Sequence, residues 1–321
     1  MRDRVGVLVA LVLVLAGVAA CAPAQRDAAG AEEATAAPVT VGHRFGTTTI
    51  DRVPRRVVTL DRQWTDVMLS LGVQPVGHGV DLMMPAGQVP WENVGPDSVG
   101  IDVAGGVPVE RILALQPDLI VSSYAITDPA IYRQLSRAAP TIAAPPEADS
   151  VPAWQDLVRT AGRFLNKPAD AERVVASVEG RIADTARRLP GLRGKSIAMG
   201  RYIVGDAMYL VADEDDGAMQ LFRALGMHVH PPVVDGGRAA HQARIRVSPE
   251  RVDLLRADLV AFMINGGDRA ALSQIPGFDQ LPGTVSVMPY STIAGLNTPS
   301  PLSLPYALDQ FRPSLEAAAA K

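Results

Sequence analysis

The sequence predicts an α/β protein with two similar lobes joined by a long helix. Three observations support this prediction. Short apolar runs rich in β-branched residues alternate with helical patterns, which is typical of βα units around a parallel sheet. A central stretch, 152–189, has only helical periodicity. Two segments 140 positions apart, one in each half of the chain, match each other in sequence.

The predicted elements of the first half are bounded by turn and helix-ending signals. A strand at Arg56–Leu60 follows Pro54, and a helix at Trp64–Leu71 stops before Gly72, a residue favoured just beyond a helix C-terminus. The other predicted elements here are strands at Val73–Gly77 and Asp118–Ser122 and helices at Pro108–Leu115 and Ala130–Arg137.

The central stretch is predicted to be two helices. Trp154, Leu157 and Ala161 recur at spacings of three and four, which places them on one helix face. Pro168 suits the first position of a second helix, which would be about 33 Å long if it continued to Leu189. A helix of this length would cross a domain boundary.

After Pro190-Gly191 the alternation of strand and helix patterns resumes. The predicted strands are Ser196–Met199, Leu259–Ile264 and Val285–Met288, and the predicted helices are Ala218–Leu225, Glu250–Leu255 and Ser303–Phe311 with the alanine-rich tail. The repeat pairs Val107–Val121 with Val247–Ala261, which share six of fifteen residues, including a Glu-Arg pair. It favours two related lobes, although unrelated helix-then-strand segments can also look alike.

Composition excludes several classes of protein. The chain has 321 residues, 48% of them hydrophobic and 20% charged, which is an ordinary globular balance. The formal net charge of −4 leaves no basic excess for binding nucleic acid. The single cysteine, Cys21, can form neither an internal disulfide nor a cysteine-based zinc site.

The N-terminus has the features of an export signal. Arg2 and Arg4 precede an apolar run, Val5–Ala20, that is too short for a comfortable span of about 20 residues. The run ends at Cys21, and Val18-Ala19-Ala20-Cys21 resembles the lipobox of bacterial lipoproteins. This predicts a leader at 1–20, a lipidated Cys21, a flexible tether at 21–42 and a protein anchored on the outer face of the cell membrane. An ordinary signal peptide with a chance cysteine is the alternative.

Four segments together resemble the helix-linked class of substrate-binding lipoproteins of ABC importers, which bind ferric siderophores, haem or cobalamin. The segments are PRRVVTLDRQWTDVMLSLGVQPVG at 54–77, VERILALQPDLIVSSY at 109–124, VSPERVDLLRADLVAFMING at 247–266 and NTPSPLSLPYAL at 297–308. The resemblance implies two Rossmann-like lobes, a rigid helix between them and a ligand cleft at their interface. The expected boundaries are 43–150 for the N-terminal lobe, 151–190 for the interlobe helix and 191–321 for the C-terminal lobe.

The resemblance also implies a permease dimer as partner. In this class an acidic residue on each lobe docks to basic residues of the permease, and by position these residues become Glu110 and Glu250. Two carboxylates on separate lobes suit a symmetric partner. Alternatively, each is a solvated glutamate in the first turn of a helix, where the macrodipole favours it.

Ligands of open α/β sheets bind beyond the carboxyl ends of the strands. Arginine guanidinium groups there could bind carboxylate, catecholate or hydroxamate oxygens, and Tyr and Trp could supply rigid contact area. Alternatives are surface ion pairs for the arginines and core packing for Trp64. The candidates are Arg62, Trp64, Tyr124, Arg201, Tyr202, Asn265 and Tyr290 after strands, Asp81 and Trp91 in the loop after the second strand, and Arg238 in an arginine cluster.

We therefore predict a monomeric binding protein, not an enzyme, that captures a ferric siderophore and delivers it to an ABC permease. It is expected to have no cofactor of its own, with iron present only in the bound chelate. Haem and cobalamin are the alternatives within the same fold, and His228 and His230 could contact zinc or haem from one face of a strand. A lipid-anchored enzyme or a sensory lipoprotein is the alternative of another class, although Ser122-Ser123 lacks the GxSxG pattern.

Overall fold

The computed structural model describes residues 37–146 and 151–321. The predicted leader and Cys21 lie outside the described residues. The predicted tether, 21–42, overlaps them only at its end, and there the prediction was wrong because a strand already begins at Val39. Ala36–Lys321 forms one compact unit, and a unit with its own core is expected to fold by itself. Over the described ranges, none of the helices combines the length and apolar character needed to cross a bilayer.

The first half of the chain forms a parallel sheet of five short strands. Its order is β5-β4-β3-β6-β7, preceded in the chain by an antiparallel hairpin, β1–β2. The central strands β3 and β6 are buried throughout, as expected of a parallel sheet covered on both faces. The elements are β1 Val39–His43, β2 Gly46–Ile50, β3 Val57–Thr59, α1 Arg62–Ser70, β4 Gly77–Gly79, β5 Val99–Ile101, α2 Val109–Ala114, β6 Leu119–Val121, α3 Pro129–Ser136 and β7 Thr141–Ile142.

The predicted strand at Val73–Gly77 was misplaced, and β4 begins only at its last residue. The backbone N–H of Val73 donates to the carbonyl of Met68 and so closes α1 instead of joining the sheet. Pro75 has no N–H to donate. A Cβ at Gly77 would lie 2.5 Å from the Leu115 side chain and 2.9 Å from that of Ile101, so a larger residue would displace both side chains.

Two helices connect the halves, α4 at Trp154–Phe164 and α5 at Pro168–Arg188. With 21 residues, α5 is about 32 Å long, close to the predicted length. It packs on α4 and on two helices of the second half, α6 at Gln220–Ala224 and α9 at Ser303–Ala319.

The second half forms a mixed sheet of six strands in the order β11-β9-β8-β12-β13, with β10 beside β8. Strands β10, β12 and β13 run parallel to their neighbours, whereas β9 and β11 are antiparallel. The remaining elements are β8 Ser196–Ile203, β9 Met208–Val211, β10 His228–Val229, α7 Pro231–Ala240, β11 Arg244–Val247, β12 Leu259–Asn265, β13 Thr284–Val287 and α8 Tyr290–Asn297.

These two sheets and the long connecting helix confirm the predicted α/β class. The lobe boundaries, 43–150, 151–190 and 191–321, stay a prediction, because one hydrophobic cluster contains residues of both halves. The predicted helix at Glu250–Leu255 was wrong in its start and its type, since Glu250 lies in a turn and only Val252–Leu255 forms a short 3₁₀ helix.

Candidate functional site

Three neighbouring cavities have one side chain in common, that of Tyr290. Their volumes are about 390, 360 and 360 Å³, and residues of both halves line the first two. We call the three together the Tyr290 cleft. The residues around it follow strands β3, β4, β6, β12 and β13, so the cleft lies beyond strand carboxyl ends, where the sequence placed it.

Three side chains that line the first cavity, those of Arg62, Asp81 and Tyr290, contact one another. Arg62 donates to Asp81 Oδ2 at 2.7 Å, and the Tyr290 hydroxyl donates to the same oxygen at 2.9 Å. Burial raises the pKa of Asp81, but hydrogen bonds from the Met83 N–H, Arg62 and Tyr290 outweigh it and hold the pKa below its usual range. Asp81 is therefore an anion that links the two halves of the chain.

Asp61 directly precedes Arg62 and fixes the first turn of α1. Its carboxylate caps α1 by accepting the N–H of Trp64 at 3.0 Å, and it also accepts the N–H of Ser123 at the end of β6. Burial raises the pKa of Asp61 to about 6. The Asp61 carboxylate thus connects the segments that follow β3 and β6. The next residues of these two segments, Arg62 and Tyr124, both line the first cavity.

The second half contributes a cation and an amide. Arg201, on β8, lines the third cavity, and its guanidinium carbon lies 4.6 Å from the ring centroid of Tyr209. Over residues 37–146 and 151–321, no carboxylate forms an ion pair with Arg201. Asn265, the last residue of β12, lines the second cavity, and its buried Oδ1 has no hydrogen-bond partner. Both groups are available to a ligand.

Three predicted ligand residues lie elsewhere, and for these the prediction was wrong. Trp64 is 2% exposed and packs on Phe164 with ring centroids 6.3 Å apart, so it belongs to the core. Tyr202 is also 2% exposed, because neighbouring residues of a strand face opposite sides of the sheet and Arg201 takes the side of the cleft. Arg238 lies on α7, pairs with Asp235 at 3.7 Å and lines none of the three cavities.

Trp91 supports the site without lining its cavities. Its ring centroid lies 5.9 Å from the guanidinium carbon of Arg62 and 5.0 Å from the ring centroid of Tyr306. Its indole N–H donates to Asp66 Oδ2 at 2.9 Å. Trp91 is therefore in contact with both the Arg62 guanidinium and the buried Asp66 carboxylate.

The sequence analysis missed a polar cluster of Asp66, Glu92 and Ser300, whose two carboxyl groups interact with the charge of Arg62. Asp66 is fully buried and accepts the hydroxyl of Ser300, which comes from the second half of the chain. Burial raises the pKa of Asp66 to about 6. Burial, and then the nearby Asp66 charge, raise the pKa of Glu92 to about 9. The sequence feature that could have indicated this cluster was the NTPSPLSLPYAL segment at 297–308, which contains Ser300.

The remaining candidates lie away from the Tyr290 cleft. Glu110, in the first turn of α2, and Glu250 are both exposed, and their docking role stays a prediction. His228 and His230 line none of the three cavities. In the part of the chain that the structure describes, no three His, Cys, Asp or Glu side chains are grouped so that they could hold a metal ion.

Comparison with known proteins agrees with this architecture. The probable siderophore-binding lipoprotein YfiY of Bacillus subtilis (strain 168) is 26% identical over 224 residues, which are 68% of this chain and 66% of YfiY. The Fe(3+)-citrate-binding protein YfmC of the same organism is 24% identical over 269 residues, 82% of this chain and 80% of YfmC.

Solved structures and a family model match as well. A periplasmic solute binding protein from Mycobacterium smegmatis is 27% identical, with a TM-score of 0.75, and the match covers 88% of this chain and 99% of that one. Streptococcus pneumoniae PiaA in complex with ferrichrome, 23% identical with a TM-score of 0.69 and the same coverage, has the same fold. The family model described as periplasmic binding protein matches residues 57–279, so the chain belongs to the periplasmic binding protein family.

Proposed function

We propose that the protein captures a ferric siderophore in the Tyr290 cleft and delivers it to an ABC permease. The observation that carries this proposal is the meeting of Arg62, Arg201, Tyr124 and Tyr290 around adjoining cavities formed by both halves of the chain. The names of YfiY and YfmC, which state siderophore and ferric citrate binding for those relatives, support it.

The chemistry of the cleft suits an oxygen-rich chelate. A guanidinium offers several N–H donors to carboxylate, catecholate or hydroxamate oxygens and does not compete for the iron. Arg201 supplies such donors without an ion pair to break, whereas Arg62 must share them with Asp81. The tyrosines add rigid contact surface and hydroxyl groups. We propose that iron enters only as part of the chelate and that the ligand leaves chemically unchanged.

The test is a ligand panel on purified residues 36–321. Ferric citrate, a ferric trishydroxamate, a ferric triscatecholate and a mycobactin-type chelate are titrated while tryptophan fluorescence is recorded, with Trp91 beside Arg62 as the nearest reporter. We expect at least one chelate to bind saturably at one site per chain, with calorimetry as a check. Failure of every chelate to bind would remove the proposed ligand class, and a shifted Soret band on adding haem would favour haem instead.

We propose that a lipid on Cys21 anchors a monomer to the outer face of the membrane, where the permease receives the ligand. The double variant Glu110→Ala/Glu250→Ala should then lower uptake of iron-55 chelate by cells at least tenfold, without changing the chelate affinity of the purified protein. Both side chains are exposed, so their loss should leave the fold intact.

The matched control is Glu172→Ala/Glu316→Ala, which also removes two exposed glutamates, from α5 and α9. Control cells should import iron at the rate of the unaltered protein. Equal uptake by both double variants would show that Glu110 and Glu250 do not dock to the permease.

A further inference from the structure

We infer that the siderophore carries an apolar arm, such as an acyl chain, that lies between Leu82-Met83 and the strand ends of the second half. This inference rests on the proposed function and narrows its ligand to an amphiphilic chelate. Three observations carry it: an exposed apolar pair at the cleft, an apolar wall facing that pair, and an unpartnered amide oxygen on the same wall.

Leu82 and Met83 are unusually exposed for large apolar side chains, at 67% and 68%. Of the residues that the structure describes, the next most exposed large apolar side chains are those of Tyr124, at 46%, and Val151, at 37%, and Tyr124 lines the first cavity too. Scattered exposed apolar residues are ordinary, whereas adjacent ones at a cavity mark a contact surface. Leu82 lines the first cavity and Met83 the second, so the pair lies where the two adjoin.

The apolar pair is also held in position. Asp81 is fixed by Arg62 and by Tyr290, and its Oδ1 accepts the N–H of Met83 at 3.0 Å. The chain leaving Asp81 must therefore present Leu82 and Met83 at the cleft. A segment exposed only because it is a surface loop would not need this anchoring.

The facing wall belongs to the second half of the chain, and five apolar residues line it beside the polar Asn265, Asp268 and Arg269. It comes from the ends of β12 and β13 and encloses about 360 Å³ together with Met83. Methionine side chains are flexible and polarisable, so they can pack against chains of different length and shape. The apolar residues of this wall are Met263, Ile264, Val287, Met288 and Pro289.

The polar and apolar parts of the cleft are continuous. Tyr290 lines both cavities, so a ligand with its oxygen-rich head near Arg62 could extend past the tyrosine and along the apolar residues of the second cavity. Asn265 lies on the same wall with a buried Oδ1 that lacks a donor. An amide N–H at the junction of head and arm would satisfy this oxygen. This arrangement fits an acylated chelate better than a uniformly polar one.

The experiment uses matched chelates on residues 36–321. Ferric citrate, a ferric trishydroxamate and a ferric triscatecholate are each offered with and without an octanoyl chain, and affinities are measured by calorimetry. Burial of each methylene strengthens binding about fourfold, so two buried methylenes would exceed a tenfold gain. We expect a gain of at least tenfold for the octanoyl form of whichever head group binds.

The double variant Leu82→Ser/Met83→Ser should reduce that gain, taken as the ratio of octanoyl to plain affinity measured on the same variant, to about threefold or less. Val151→Ser is the control, because it alters another exposed apolar residue that lines none of the three cavities. It should retain the full gain.

The possible results separate this inference from the proposed function. If plain chelates bind and the octanoyl chain adds nothing, or if the double variant keeps the full gain, the apolar arm is excluded and the proposed function stands. In that case Leu82 and Met83 serve another contact, such as one with the permease. If neither form of any chelate binds, both the proposed function and the inference fall.

Discussion

Arg201→Ala is expected to weaken binding of the ferric chelate between tenfold and a hundredfold and to change the melting temperature by no more than about 3 °C. A hydrogen bond to a charged group contributes about 1.5–3 kcal/mol, which corresponds to that range of affinity. The native structure loses little, because Arg201 is exposed and its side chain packs mainly on the Tyr209 ring. Such a contact contributes about 0.5–1 kcal/mol at an exposed site.

The affinity is measured by calorimetry and the melting temperature by circular dichroism. Arg133→Ala is the matched control, because Arg133 is an exposed arginine on α3 that lines none of the three cavities. The control should bind as tightly as the unaltered protein. A melting temperature that falls by ten degrees or more in Arg201→Ala would make this residue structural, and an unchanged affinity would remove it from the site.

Arg62 is a less suitable residue for the same test. Its guanidinium pairs with Asp81, and its charge also lowers the pKa values of the buried Asp61 and Asp66. Removing it would leave buried carboxyl groups without their cation, which is strongly destabilising. A loss of binding in an Arg62 variant would therefore combine a changed site with a weakened fold.

Glu92→Gln is expected to remove a large part of the pH dependence of stability between pH 5 and 8. Burial, and then the neighbouring Asp66, raise the pKa of Glu92 from 4.5 to about 9 in the folded protein. Between pH 4.5 and 9 the folded protein keeps a proton on Glu92 that the unfolded chain has released. The resulting contribution to the free energy of unfolding is therefore complete below pH 4.5 and is lost progressively as the pH rises through 9. The free energy of unfolding of the unaltered protein should thus fall relative to that of the variant by up to about 1.4 kcal/mol per pH unit.

The geometry of the cluster explains why glutamine can replace the protonated acid. Asp66 Oδ2 accepts hydrogen bonds from the Trp91 indole N–H and the Ser300 hydroxyl, while its buried Oδ1 has no hydrogen-bond partner. A protonated Glu92 can donate to Asp66, and a glutamine amide can donate in the same way at every pH. At pH 8 the variant should therefore be more stable than the unaltered protein.

Urea unfolding of residues 36–321 at pH 5, 6, 7 and 8 measures this difference. Glu316→Gln, on the exposed side of α9, is the control and should follow the unaltered protein at each pH. Parallel pH profiles for the unaltered protein and Glu92→Gln would show that Glu92 is ionised in the folded state and would contradict the prediction.

Several site residues could be predicted because strand ends are visible in the sequence. Arg62, Tyr124 and Tyr290 each follow an apolar run that forms a strand, and the rule for open sheets places such residues at a ligand cleft. Residues near the cleft but outside that pattern were missed. Leu82 and Met83 lie in an irregular loop, where apolar side chains give no periodic signal.

The sequence by itself determined the α/β class, the long helix from Pro168 and the edge of the sheets at which the cleft lies. These follow from hydrophobic periodicity, from residues that begin or end helices, and from strand direction, which are local properties of the chain. Only the tertiary structure decided that Arg201 and not Tyr202 faces the cleft. Only the tertiary structure showed the hydrogen bonds from Tyr290 to Asp81, 209 positions apart, and from Ser300 to Asp66, 234 positions apart. Contacts at such separations depend on how the two halves pack, and no local pattern in a single sequence records that packing.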